Sequence, residues 1–260
     1  MAKSEGGIGE MVKTIVYALL IAGLFRTLLF QPFWIPSESM KSTLLIGDFV
    51  YVNKMAYGYS RYSCPLGLCP VSGRLFFTEP ERGDVIVFRH PANDNDMVKR
   101  LIGLPGDKIQ MKDGLLYING AVAPQIADGV FEEVMEPQGP MKNRPRCENE
   151  VVGDGAICQK SRAIETLPNG VAHTVLNIVN ASTLPDNSAV FTVPEGKYFF
   201  MGDNRDNSAD SRYDKDAGGV GFVPAENLIG RAERVIFSSA GSSMLSVWAW
   251  RSDRFFKAVE

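Results

Sequence analysis

Two hydrophobic patterns succeed each other along the chain. Residues 12–30 read Val-Lys-Thr-Ile-Val-Tyr-Ala-Leu-Leu-Ile-Ala-Gly-Leu-Phe-Arg-Thr-Leu-Leu-Phe, with Lys13 near the start and Arg26 near the far end as the charges. The uninterrupted part, 14–25, is shorter than the roughly 20 residues that cross a bilayer. Arg26 can snorkel to the interface and 27–30 restores the length, so the pattern predicts a single transmembrane anchor. A cleaved secretory signal with Lys13 as its charged flank is one rival, although no small-x-small cleavage site follows Phe25. A buried helix of a soluble domain is another. Next comes Gln31-Pro32-Phe33-Trp34-Ile35-Pro36. Its two prolines end the helix and favour extended backbone, and Phe33 and Trp34 suit a lipid-water boundary. Lys3 and Lys13 before the span nearly balance Arg26 and Lys41 at or beyond its end, so charge does not set the orientation.

After Ile35 the pattern shortens to β-type runs at 48–53, 84–89, 97–102, 115–119, 171–179, 197–201 and 231–237. Gly83-Asp84, Pro105-Gly106-Asp107, Lys112-Asp113-Gly114 and Asn119-Gly120 punctuate them as turns, and no long 3.6-period stripe competes. The prediction is a mainly β fold with an antiparallel β-sheet core, helix being confined largely to the anchor. From about 110 to 195 the sequence is less regular, with Pro137-Gln138-Gly139-Pro140, Gly153-Asp154-Gly155 and Leu184-Pro185-Asp186-Asn187. This reads as an inserted β-rich subdomain. The expected organisation is a tail at 1–11, the anchor at 12–30, a core from 31–109 and 196–240, the insertion at 110–195 and a terminal segment at 241–260. Cys64 and Cys69 flank Pro65-Leu66-Gly67-Leu68, and Cys147 and Cys158 lie in the insertion. Both pairs are short-range disulfide candidates in an oxidising compartment, and four free thiols are the alternative. The terminal Trp248-Ala249-Trp250-Arg251-Ser252-Asp253-Arg254-Phe255-Phe256-Lys257 fits either an interfacial segment touching lipid or ordinary packing.

Composition narrows the function. The 260 residues are 45% hydrophobic and 22% charged, as in a folded protein, and 27 Lys+Arg against 30 Asp+Glu give a net charge of -3. No basic excess is left to neutralise a phosphate backbone, which argues against a nucleic-acid partner. Two histidines and four scattered cysteines, without C-x-x-C or H-E-x-x-H, argue against a protein-ligated metal. The nucleotide-binding glycine motifs and G-x-S-x-G are absent too.

Three constellations could carry chemistry. The first is Ile35-Pro36-Ser37-Glu38-Ser39-Met40, directly after the anchor. A serine hydroxyl needs a base to become a nucleophile. His90 and His173 are the two histidines, so a Ser-His-Asp triad stays open without a supporting motif. A lysine base must lose about three pKa units from about 10.4, which demands an apolar setting. The second constellation, Met97-Val98-Lys99-Arg100-Leu101-Ile102, supplies one, placing Lys99 on a strand face with Met97 and Leu101. The same run also fits an edge strand whose lysine snorkels to water. The third, from Met201 to Tyr213, interleaves Asp203, Asp206 and Asp210 with Arg205 and Arg212. A solvated polar loop and a calcium loop are its rivals. Without D-x-[DN]-x-[DN]-G, internal ion pairs such as Asp210 with Arg212 are the better expectation.

Taken in order, the anchor, Pro36-Ser37-Glu38-Ser39-Met40, Arg82-Gly83-Asp84-Val85-Ile86-Val87-Phe88, the block from Val98 to Asp107 and the block from Gly202 to Arg212 resemble bacterial type I signal peptidase. That resemblance implies a membrane-bound serine endopeptidase that removes signal peptides from secretory preproteins after small-x-small sites. By it, Ser39 is the nucleophile and Lys99 the general base, with no cofactor and no metal. Ser37 and the Ser39 N–H form the oxyanion hole, Ser208 orients the lysine amine, and Asp203, Asp210 and Arg212 form an ion-paired frame. Arg100 is structural. An apolar site of residues such as Phe33, Ile35, Met40, Leu44, Val50, Val87, Met97 and Val98 would admit small side chains. The resemblance also puts the catalytic domain on the periplasmic or extracellular side of the inner membrane. Glu38 departs from the family, many of whose members have glycine there. Another Ser-Lys peptidase of the self-cleaving repressor type lacks the anchor and usually carries a DNA-binding domain. A membrane-tethered β-domain that binds exported proteins without cutting them is the non-enzymatic rival.

Overall fold

The computed structural model describes residues 7–64, 67, 69–93, 95–139, 141–151, 153–179, 184–241 and 244–260. Lys3 and most of the predicted tail, Pro65, Leu66 and Leu68 of the first cysteine loop, Pro140, and positions 242–243 of the terminal segment lie outside the described residues.

The apolar N-terminal run forms α1 (Ile8–Leu28), 21 residues with none buried against the rest of the chain. At 1.5 Å per residue it is about 30 Å long, the thickness of a bilayer's hydrocarbon core. Its full exposure overturns the buried-helix reading. The helix starts four residues earlier than the predicted span and stops at Leu28, because the next segment is claimed by a sheet. Phe30–Trp34 forms β1, paired antiparallel with β2 (Asp48–Asn53) from Phe30 opposite Asn53 to Trp34 opposite Phe49.

The remaining strands are β3 (Val85–Arg89), β4 (Asp96–Gly103), β5 (Lys108–Lys112), β6 (Leu115–Ile118), β7 (Ala121–Val122), β8 (Gln125–Val134), β9 (Ile157–Thr166), β10 (Ala172–Asn177), β11 (Phe191–Thr192), β12 (Lys197–Met201), β13 (Val223–Pro224), β14 (Leu228–Ser238) and β15 (Lys257–Ala258). Among the described residues the largest sheet runs β1-β2-β14-β3-β4-β12-β13, with β15 alongside β14. The smaller sheets are β11-β5-β6-β7 and β10-β9-β8. The fold is mainly β and antiparallel. β4 is interior, lying between β3 and β12, so the edge-strand reading of residues 97–102 does not hold. Its apolar run is buried on both faces, Leu101 packing with Phe88 and Phe200 and Ile102 with Ile109 and Phe199.

The stretch from 110 to 195 is more ordered than its sequence suggests, since β8 and β9 are ten-residue strands. In β8 a bulge between Ala127 and Val130, where Gly129 adopts φ 79°, breaks the two-residue alternation. In β9 the buried positions include Lys160 beside Cys158, so charge stands where a hydrophobe would have announced the strand. His173, placed by sequence in irregular chain, lies on β10. Both cysteine pairs are disulfides, Cys64–Cys69 and Cys147–Cys158. In the terminal segment Trp250 and Phe255 pack on Phe237, and Arg251 and Arg254 reach the buried Asp48. Leu245 and Trp248 stay exposed.

Candidate active site

The turn after β1 is pinned by its apolar residues. Ile35 donates its N–H to Asp48 O at 2.9 Å and accepts from Gly47 N at 2.9 Å. Met40 and Leu44 then enter the core formed with Val50, Val52 and Val235. Between these anchors the backbone turns, and Ser39 sits on the turn at 7% exposure. Its Oγ accepts a 2.6 Å hydrogen bond from Lys99 Nζ, which also donates to Val98 O at 3.0 Å. Ser37 Oγ lies 3.4 Å from Ser39 Oγ.

Lys99 is 2% exposed. Burial lowers its pKa from 10.5 to about 8, against the opposing pull of the Asp210 and Asp203 carboxylates. Neither acid is free to pair with it. Arg100 grips Asp203 through Nε at 2.9 Å and Nη2 at 2.8 Å, while Thr43 donates to the same carboxylate. Arg212 grips Asp210 through Nε and Nη2, both at 2.9 Å, and Gly202 N donates to Asp210 at 3.0 Å. The third acid, Asp206, accepts from Ile178 N and Val179 N. The segment from Gly202 to Arg212 is therefore an ion-paired frame, and the solvated-loop reading is overturned. Asn204 N donates to Ser39 O at 3.1 Å and joins the frame to the serine turn. Gly202 closes the gap, for a Cβ there would stand 2.3 Å from Ser208 Oγ and 2.4 Å from Ser39 O.

Several expectations change on contact with the geometry. Ser208 is buried behind Gly202 and beside Asp210, with no hydrogen bond to the Lys99 amine, whose bonds go to Ser39 Oγ and Val98 O. The expected pair of Asp210 with Arg212 is present, and Arg100 adds a second pair with Asp203. A cleft of about 1040 Å³ opens at Ser39 and Lys99, and Phe33, Ile35, Val87, Met97 and Val98 are among the residues that line it. Met40, Leu44 and Val50 do not line it. They are fully buried beneath the turn because they anchor it.

Neither histidine belongs to the pair. His90 Nε2 donates to Gly219 O, and its Nδ1 accepts from Ala92 N and Asn93 N. His173 is buried beside Glu165 and Asp203 with its pKa lowered to about 4, chiefly by desolvation. A triad finds no support in these contacts. Sequence reasoning also missed the far wall of the cleft, where Asn143 donates to Pro36 O and Arg146 to Asp206 O. It missed the buried Glu165–Arg205 pair as well. Neither carries a spacing signal, since the partners are 40 or more residues apart.

Comparison with known proteins places the chain. The family model described as signal peptidase, peptidase S26, matches residues 8–237. A signal peptidase I of Rickettsia typhi is 38% identical over 249 residues, covering 91% of this chain and 83% of the relative. One of Rickettsia canadensis is 40% identical over 238 residues, covering 87% and 79%. A solved signal peptidase I from Enterococcus faecalis is 29% identical over 59% of this chain and 97% of its own, with a TM-score of 0.31. With a family match across most of its length and relatives near 40% identity, the chain belongs to the signal peptidase family, the S26 serine peptidases, and is a hydrolase of the signal peptidase I type.

Proposed function

We propose that the chain is a membrane-anchored endopeptidase that removes N-terminal signal peptides from secreted preproteins after small-x-small sites, with Ser39 as nucleophile and Lys99 as general base. The observation that carries this reading is the buried 2.6 Å contact between Lys99 Nζ and Ser39 Oγ. A lysine whose pKa is near 8 holds a useful fraction of neutral amine at neutral pH. That amine takes the hydroxyl proton as Oγ attacks the scissile carbonyl, then returns it to the departing amine. Water, activated by the same lysine, releases the acyl group. The Ser39 N–H and the Ser37 hydroxyl face the developing oxyanion, and losing one such donor costs roughly 3 kcal/mol of transition-state stabilisation.

Asp203, Asp210 and Arg212 hold the frame, and Ser208 borders the amine's pocket. Phe33, Ile35, Val87, Met97 and Val98 give the cleft an apolar floor suited to small side chains. α1 is the anchor, 110–195 is an insertion in the catalytic core, and the catalytic domain faces the periplasm or cell exterior. A preprotein held in the same bilayer then meets Ser39 with much of its orientational freedom already lost. The test is preprotein cleavage with N-terminal sequencing of the product. Ser39→Ala and Lys99→Ala abolish cleavage and His90→Ala retains it. Cleavage surviving Lys99→Ala removes the base, and binding without any cleavage by the wild type favours the non-enzymatic scaffold.

A further inference from the structure

Glu38 stands between the two serines of the active-site turn. It is 6% exposed. Its Oε2 accepts from Asn207 Nδ2 at 2.8 Å, and its backbone carbonyl accepts from Asn204 Nδ2 at 3.1 Å. Both asparagines belong to the segment that also holds Ser39 O through Asn204 N. On its other side the carboxylate faces two buried ammonium groups, Lys41 at 3.6 Å and Lys160 at 4.0 Å. These lysines share a second acid. Lys41 donates to Glu133 at 2.6 Å and to Gln138 at 2.9 Å, and Lys160 donates to the other Glu133 oxygen. Two carboxylates and two ammoniums thus form a neutral buried cluster that joins the serine turn to β8 and β9.

We propose that Glu38 is a positioning residue, clamping the turn that carries Ser39 onto the segment 204–208 and, through Lys41, Lys160 and Glu133, onto β8 and β9. The inference rests on Ser39 being the nucleophile. A turn held by backbone bonds and two apolar anchors can still rock about them. The Glu38 side chain adds a third, lateral point of attachment one residue from the reacting oxygen. The competing account is charge balance alone, in which Glu38 serves to neutralise Lys41 and Lys160. A buried lysine that loses its partner is strongly destabilising, so stability alone cannot separate the two accounts.

The separating experiment uses the full chain in detergent, a short peptide substrate with a small-x-small site, and melting curves alongside kcat and KM. Displacing a reacting group by about 1 Å costs as much as 100-fold, so Glu38→Gly is expected to lower kcat roughly 10- to 100-fold with KM little changed. Glu38→Gln, which keeps an acceptor for Asn207, recovers most of that loss. The double variant Glu38→Gly with Lys160→Met restores neutrality, so it recovers the melting temperature and not kcat. Wild-type kcat in Glu38→Gly, or kcat restored by Lys160→Met, overturns the inference. Ser39→Ala runs in parallel: if it cleaves, the underlying assignment of the nucleophile fails, whereas if it is inactive and Glu38→Gly is normal, the clamp alone fails.

Discussion

In the proposed mechanism, Lys99 is where reactivity and stability conflict. In the unfolded chain it keeps its proton up to about pH 10.5, whereas in the folded chain it loses it near pH 8 because burial disfavours the ammonium. Its folded pKa is depressed, so the penalty for the charged form is complete below about pH 8. Stability recovers as pH rises from there to about 10.5. The penalty is on the order of 3 kcal/mol. Lys99→Met is expected to abolish cleavage while raising stability by that order at pH 7, with the gain fading by pH 10.5. Denaturant titrations at the two pH values check it. Asp203 shows the opposite behaviour. It is the bidentate partner of the buried Arg100, and Asp203→Ala leaves that guanidinium uncompensated, which is expected to cost about 3–5 kcal/mol in the same assay. Lys99 and Ser39 stood out in the sequence because each sits in a local motif, and the structure brings their side chains into contact. Ser208, read in the same way, was placed on the amine, but the lysine's bonds go to Ser39 and Val98. Sequence names the residue and leaves the rotamer open.

Strands with a compact apolar run were legible, β14 even though it carries bulges, whereas β8 and β9 lack such a run. β2 and β12 match their predicted bounds, and β14 extends the predicted 231–237 to Leu228–Ser238. β8 hid behind its bulge at Gly129, and β9 behind the inward-pointing Lys160, whose partner Glu133 comes from the neighbouring strand. The connection that matters most to the site is the one between β12 and the frame. Gly202 ends that strand and lets Ser208 and the Ser39 carbonyl close in where no side chain has room. Gly202→Ala must push one of them away, so it is expected to lower kcat roughly 100-fold, with less effect on substrate affinity. Steady-state kinetics on a peptide substrate measure this, and an unchanged kcat shows that the contact can yield.

The molecule as a whole joins an exposed apolar helix of 21 residues to a β domain, with β1 beginning two residues after the helix ends. With α1 as the proposed anchor, so short a link holds the β domain close to the bilayer surface. Deleting residues 1–28 is expected to leave kcat on a soluble peptide close to that of the full chain. The same deletion slows cleavage of a preprotein embedded in vesicles by roughly 100-fold, because the shared bilayer no longer raises the effective concentration. Parallel assays on the two substrates measure that ratio. The account as a whole turns on a neutral amine at Lys99 reaching Ser39. The most direct measurement is an NMR titration of the protein with isotopically labelled lysine, assigned with Lys99→Arg and set beside the pH profile of kcat/KM. The account predicts that the Lys99 resonance titrates near pH 8 and that kcat/KM rises through the same pH. A Lys99 resonance still charged at pH 10, in an enzyme fully active at pH 8, would contradict it.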